Sequence, residues 1–147
     1  MAYDQIAKKI TRELNLEIGS IYVLEIVEKR NLLEFAYPKS LSGNMIPIDR
    51  SSLTGGISLS KKPYYSNEFP QEKSLVMMNL LMASESKPIQ KKIIYPIVNN
   101  GSVERVFLIV RKGSSASKAG ADFGNNDLER LKSIVENVSL QQVAESA

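Results

Sequence analysis

The chain has 147 residues, 43% hydrophobic and 24% charged, with a formal net charge of +3. This is the make-up of one globular domain able to bury roughly two thirds of its unfolded surface. It contains neither cysteine nor histidine, which excludes disulfides, thiolate catalysis, iron–sulfur clusters and cysteine zinc sites, and removes the commonest general base, haem ligand and transition-metal ligand near neutral pH.

Catalysis by carboxylates, Lys or Tyr is still chemically open. No pair of acids, however, has the apolar isolation of a general acid–base couple, so neither an enzyme nor a metal site is expected. No apolar run approaches the ~20 residues of a bilayer span, and no signal core opens the chain, so a cytoplasmic location is expected. Residues 51–118 hold ten Lys/Arg against four Glu, a local +6. Such an excess suits either solvated strand edges or a negatively charged ligand or partner. It is too sparse in interleaved aromatics for nucleic acid.

In chain order, residues 2–16 place Tyr3, Ile6, Ile10 and Leu14 at helical spacing, which predicts an amphipathic helix ending near Asn15. A hairpin over 20–37 follows. SIYVLEIV and LLEFAYP are rich in β-branched and aromatic residues, and Pro38 stops the second strand. The stretch 38–90 is the least regular. Around Ile57 and Leu59 it has room for one or two helical turns, and KKPYYSNEFP suits a short edge strand. Ser74–Ser84 predicts a helix with Met77, Leu80 and Leu81 inward, as core filler.

A second hairpin spans 91–112. Asn100-Gly101 favours a type I′ turn because both residues tolerate positive φ. If they are the two loop residues, Tyr95 lies opposite Val106 and Ile94 opposite Phe107. One face then carries Ile94, Phe107 and Ile109, and the other Ile93, Tyr95, Val106, Leu108 and Val110. Gln90, Lys92 and Arg105 share the face of Phe107 in this register. Both faces are apolar, so the sheet must be covered on two sides. The Ser/Ala/Gly-rich loop 113–125 reads as mobile. A last helix over 126–143 is capped by Asn126 or Asp127 and turns Leu128, Leu131, Ile134, Val135 and Val138 inward.

The order helix, hairpin, irregular middle, hairpin, helix resembles that of GAF domains, relatives of the PAS fold, over essentially the whole chain. SIYVLEIV with LLEFAYP is similar to the first GAF hairpin and YPIVNNGSVERVFLIV to the last. SSLTGGISLSKKPYYSNEF is similar to the short helix and edge strand between them, and ADFGNNDLERL to the start of the closing helix. Arg105 departs from the small residue usual in that family's final strand. The resemblance implies an α+β fold: a six-stranded antiparallel sheet with the terminal helices on one face and the irregular segment over the other, enclosing a cavity. It also implies sensing rather than chemistry. Members bind cyclic nucleotides, tetrapyrroles, haem, amino acids or other metabolites. Without cysteine a bilin cannot be attached covalently, without histidine haem lacks its usual ligand, and the Asn-Lys-Phe-Asp-Glu signature of the cyclic-nucleotide binders is not found.

Candidate ligand residues follow from both readings. SSLTGG, with Ser52 and Thr54, is either a turn capping a helix or an anion cradle at its start. Arg50 beside it suits a carboxylate or phosphate, or solvent. It lacks the Gly-Lys-Ser/Thr ending of a P-loop. Tyr64, Tyr65 and Asn67 fall where the resemblance puts a pocket wall; if extended, the two tyrosines point to opposite faces. Arg105 is either a buried cation needing a partner or a solvated strand end. The expected function is a non-catalytic sensory module for a small molecule, an anion among the candidates, signalling through its terminal helices to a fused output domain or a partner in trans. The alternative is a dimerisation scaffold without ligand. A homodimer through the terminal helices is expected, because one sheet face looks too small to absorb both apolar stripes.

Overall fold

Hydrogen-bonded hairpins and two amphipathic helices account for most of the described residues. The computed structural model describes residues 3–27, 30–48, 53–68 and 89–146, the side chains of 47, 53–55, 58 and 137–146 excepted. The expected helix at Ser74–Ser84, and Arg50 and Ser52, lie outside the described residues. In chain order come α1 (Tyr3–Glu13), β1 (Ile21–Val27), β2 (Leu32–Tyr37), β3 (Met45–Pro47), α2 (Leu53–Ser60), β4 (Tyr64–Ser66), β5 (Ile89–Asn99), β6 (Ser102–Lys112) and α3 (Asn125–Ser146). The strands form one antiparallel sheet in the order β3-β2-β1-β6-β5-β4. Both edge strands are three residues long, which keeps little open ladder at the edges. Among the described residues, no helix is long and apolar enough to cross a membrane.

Asn100 and Gly101 take positive φ, 53° and 79°, and turn β5 into β6. Next to the turn the pairing is the expected one, Asn99 with Ser102 and Val98 with Val103. Then it slips. Ile97 pairs with Arg105, so Glu104 is an extra residue on β6, and Tyr95 faces Phe107 while Ile94 faces Leu108. A one-residue bulge moves every later side chain of one strand to the other face. The expected division is corrected accordingly. Ile93 and Tyr95 join Phe107 and Ile109 under the helices, and Ile94 joins Val106, Leu108 and Val110 on the opposite face. Arg105 keeps the face of Phe107, but Lys92, in step with Ile94, does not. The available sign was Pro96: a strand proline marks an irregular ladder or an edge, and it pairs with Val106 just past the bulge. A second slip leaves Gln90 extra between the Ile89–Lys112 and Lys91–Arg111 pairs.

On the helix face, α1 and α3 lie over the sheet. Tyr3, Ile6, Ile10 and Leu14 are buried together with Leu131, Ile134 and Val135, and Ile10 and Leu131 have no exposure at all. The described part of both stripes therefore packs within one chain, while Val138, the last residue of the α3 stripe, has its side chain outside the described residues. Just past the end of α1, Asn15 takes φ 54°. The carbonyls that follow the helix are held from β6: Arg111 donates to Leu14 O at 2.9 Å and to Asn15 O at 3.0 Å. At the start of α3, the Asp127 carboxylate accepts the Gly124 N–H at 3.0 Å, the returning half of a capping box.

The loop 113–124, expected to be mobile, is tied down. Gln90 donates to Gly113 O at 2.9 Å, and the buried Lys91 ammonium donates to Gly120 O at 2.6 Å and pairs with Asp122 at 2.8 Å. Gly113 is also packed too tightly for a side chain, since a Cβ there would lie 2.8 Å from the Ala119 nitrogen. Small residues let the loop press against the sheet end. Composition alone cannot separate that use from disorder.

Candidate functional site

The face away from the terminal helices is the candidate ligand face. Its floor comes from alternate residues of four strands: Tyr22 and Leu24, Leu33 and Phe35, Ile94, and Val106, Leu108 and Val110, all buried. Ile57 of α2, Leu41, Ile48 and Tyr64 pack against it from the margin. Helix α2 is held in place at its end. Lys61 adopts φ 61°, its N–H closes on Ile57 O at 2.9 Å, and its ammonium donates to Gly101 O at 2.6 Å. A left-handed residue stops the helix, and its side chain fastens this cover to the tip of the β5–β6 hairpin.

Charge on this face is positive. Lys92 sits beside Ile94 in β5, opposite Val110, and is fully buried. Lys112 stands at the margin, where its ammonium donates to the Tyr22 hydroxyl at 2.7 Å and to Gly19 O at 3.0 Å, 5.3 Å from the Tyr22 ring centroid. A cation withdrawn from water is held only where negative charge or oriented dipoles surround it. Among the described residues, no group of three or more metal-ligating side chains is assembled.

Of the seven candidate residues, the four with described side chains, Tyr64, Tyr65, Asn67 and Arg105, do not converge. Tyr64 packs on the ligand face while its neighbour Tyr65 packs on the helix face, the opposition that an extended segment requires. Thr54 lies in the first turn of α2, with its side chain outside the described residues. Asn67 has a structural use. Its amide donates to Phe123 O at 3.0 Å and accepts the Phe123 N–H at 2.8 Å, so both ends of the side chain clasp the lead-in to α3.

Arg105 lies under the helices, in a polar cluster at one end of the sheet. Its guanidinium pairs with Glu104 at 2.9 Å and lies 5.8 Å from the Tyr3 ring centroid, and its strand neighbour across β1 is Glu25. The Tyr3 hydroxyl donates to the Glu25 carboxylate. Burial pushes the Tyr3 phenol well above its ordinary range, and the Glu25 bond pushes the same way, while Arg105 opposes them. Tyr3 also packs edge-on against Phe107, with centroids 6.4 Å apart. This cluster anchors the first turn of α1 and faces away from the ligand side.

Lys92 is, with Ile93, Ile94 and Tyr95, among the residues that strand reading put on the wrong face. The doublet Lys91-Lys92 inside an apolar strand was the signal, and the bulges decided which lysine faces which side.

No protein-family model matches the chain, and no curated protein matches its sequence. Solved structures do match it along nearly its whole length. The GAF domain of a two-component sensor histidine kinase from Bacillus halodurans is 19% identical, with a TM-score of 0.62 over 97% of this chain and 99% of that one. A methyl-accepting chemotaxis protein is 17% identical, with a TM-score of 0.69 over 95% of this chain and 85% of that one. The second GAF domain of DevS from Mycobacterium smegmatis is 14% identical, with a TM-score of 0.64 over 98% and 93%. At such identities what is shared is the fold. The chain has the GAF fold, an α+β architecture of six antiparallel strands with the terminal helices on one face.

Proposed function

We propose that this chain is a cytoplasmic, non-catalytic sensory domain. It binds a small molecule with an apolar body and one negative group on the face opposite its terminal helices. The observation that supports this reading is the make-up of that face, an apolar floor with the fully buried cation Lys92 set into it. Apolar walls with one well-placed polar group are the usual composition of small-molecule sites. The fold points the same way, since the similar solved structures include domains of a sensor histidine kinase and a chemotaxis protein. No covalent cofactor enters the reading. Binding draws the cover toward the sheet, and the strands carry the change to α1 and α3, which bias a partner or a joined output domain.

Isothermal titration and thermal shift against a panel of metabolite carboxylates, phosphates and neutral analogues test it. An anionic member is expected to bind and stabilise the fold while its neutral analogue does not. Lys92→Met keeps an apolar side chain of similar length and is expected to weaken that binding at least tenfold, about 1.4 kcal/mol. A panel without a single stabilising member, or equal affinity in Lys92→Met, would reject the reading.

A further inference from the structure

Few large apolar side chains remain outside the two cores among the described residues, and Ile18 stands apart at 99% exposure. It sits on the turn between α1 and β1, next to Gly19 at φ 85°. Beside it runs a groove of about 490 Å³ between α1 and the first residues of β1. Ala7 and Ile21, both buried, and the half-buried Leu16 and Tyr37 give this groove an apolar base. Asp4, Lys8 and Arg12 follow one line of α1 along it, four residues apart and exposed.

We propose that this surface is where a second copy of the chain docks, each Ile18 seated in the groove of the other. Two features favour a copy over a different partner. The projecting residue and the recess lie side by side on one surface, so a two-fold axis forms the same contact twice. The charges are also self-matched: the acids Asp4 and Glu17, the latter beside Ile18, stand against the bases Lys8 and Arg12. A strongly acidic or basic partner would leave half of them opposed. The interface lies on the flank of α1, not along the stripes of α1 and α3 that pack on the sheet, and it is independent of the ligand reading.

Sedimentation velocity across ~10 to ~300 µM, the range in which a small interface of this kind associates, tests the proposal. The wild-type chain is expected to rise toward twice its monomer mass. Ile18→Glu is expected to stay monomeric throughout, with unchanged circular dichroism and thermal midpoint, because that side chain touches almost nothing in the monomer. Arg12→Glu makes the surface acidic, so it is expected to weaken the dimer at low salt and to regain part of it as salt screens the repulsion. It also serves as the independent variant should Ile18→Glu disturb the fold. A wild-type chain that is monomeric at every concentration overturns the proposal. So does a dimer that both variants leave intact, which would put the contact elsewhere, such as along the end of α3.

Discussion

Lys91 and Lys92 are consecutive, both almost wholly buried, and turned to opposite faces of one sheet. On the helix side, Lys91 is fully accounted for by Gly120 O and Asp122, and its work is to hold a loop. Its neighbours there follow the same pattern: Asn67 clasps Phe123, Arg111 holds the carbonyls that follow α1, and Arg105 pairs with Glu104. On the other side Lys92 lies in an apolar floor covered by a short helix and irregular chain. The same residue type in the same strand thus ties down a loop on one face and is buried in an apolar floor on the other. Packing partners make the difference. On the helix side α1 and α3 bring a continuous apolar stripe, whereas on the other Ile57 of α2, Leu41, Ile48 and Tyr64 pack from the margin.

If that contrast holds, substitutions under the helices will cost stability and leave ligand selectivity alone. The largest effect is expected at Ile10, which has no exposure. Ile10→Ala should lower the unfolding free energy by about 2–5 kcal/mol through lost transfer energy and a residual cavity, read from urea denaturation with an unchanged slope. Ile10→Glu should not fold. A folded but monomerised Ile10→Glu would instead return the interface to the helix stripes and break the comparison. Next comes Asn67. Asn67→Ala strips two hydrogen bonds from the Phe123 backbone and should cost about 1–3 kcal/mol. Faster amide exchange should appear at the start of α3 while binding to the opposite face is unchanged; a loss of ligand affinity without loss of stability would restore Asn67 as a ligand residue.

The smallest effect sharpens the contrast through pH. Tyr3 keeps its proton in the folded chain to higher pH than a free phenol does, chiefly because it is buried. Its folded pKa is raised, so its contribution to stability is complete below the unfolded value of about 10 and is lost as pH climbs beyond it. Burial raises Tyr37 and Tyr95 in the same direction. Tyr3→Phe should cost about 1 kcal/mol at neutral pH for the lost bond to Glu25. It should also flatten the decline of stability above pH ~10 relative to wild type. Equal alkaline slopes in the two proteins would show that Tyr3 is not the group responsible.

Much of the architecture was written locally. The run VFLIV in β6 is apolar at every position, so it required cover on both faces whatever its partners were. Asn100-Gly101 fixed the turn, because few other residue pairs accept two positive φ angles in succession. The spacing of Tyr3, Ile6, Ile10 and Leu14 fixed which side of α1 goes inward. These are properties of a residue and its near neighbours.

What the tertiary structure decided depends on residues far apart in the chain. The bulge at Glu104 arises between two strands, and by shifting the register one step it reversed the faces of Ile93, Ile94, Tyr95 and Lys92. Asn67 became a clasp only because the lead-in to α3 returns beside β4 over a separation of 56 residues. The loop after β6 looked mobile from its Ser, Ala and Gly content, yet those residues permit the close approach that Lys91 and Gln90 fasten. The stripes on α1 and α3 looked too large for one sheet face, yet their described residues are buried where the two helices lie side by side over it. Alternation and helical period state that a residue is buried. Which face it reaches, and what it meets there, is set by strand register and long-range contacts that no local window contains.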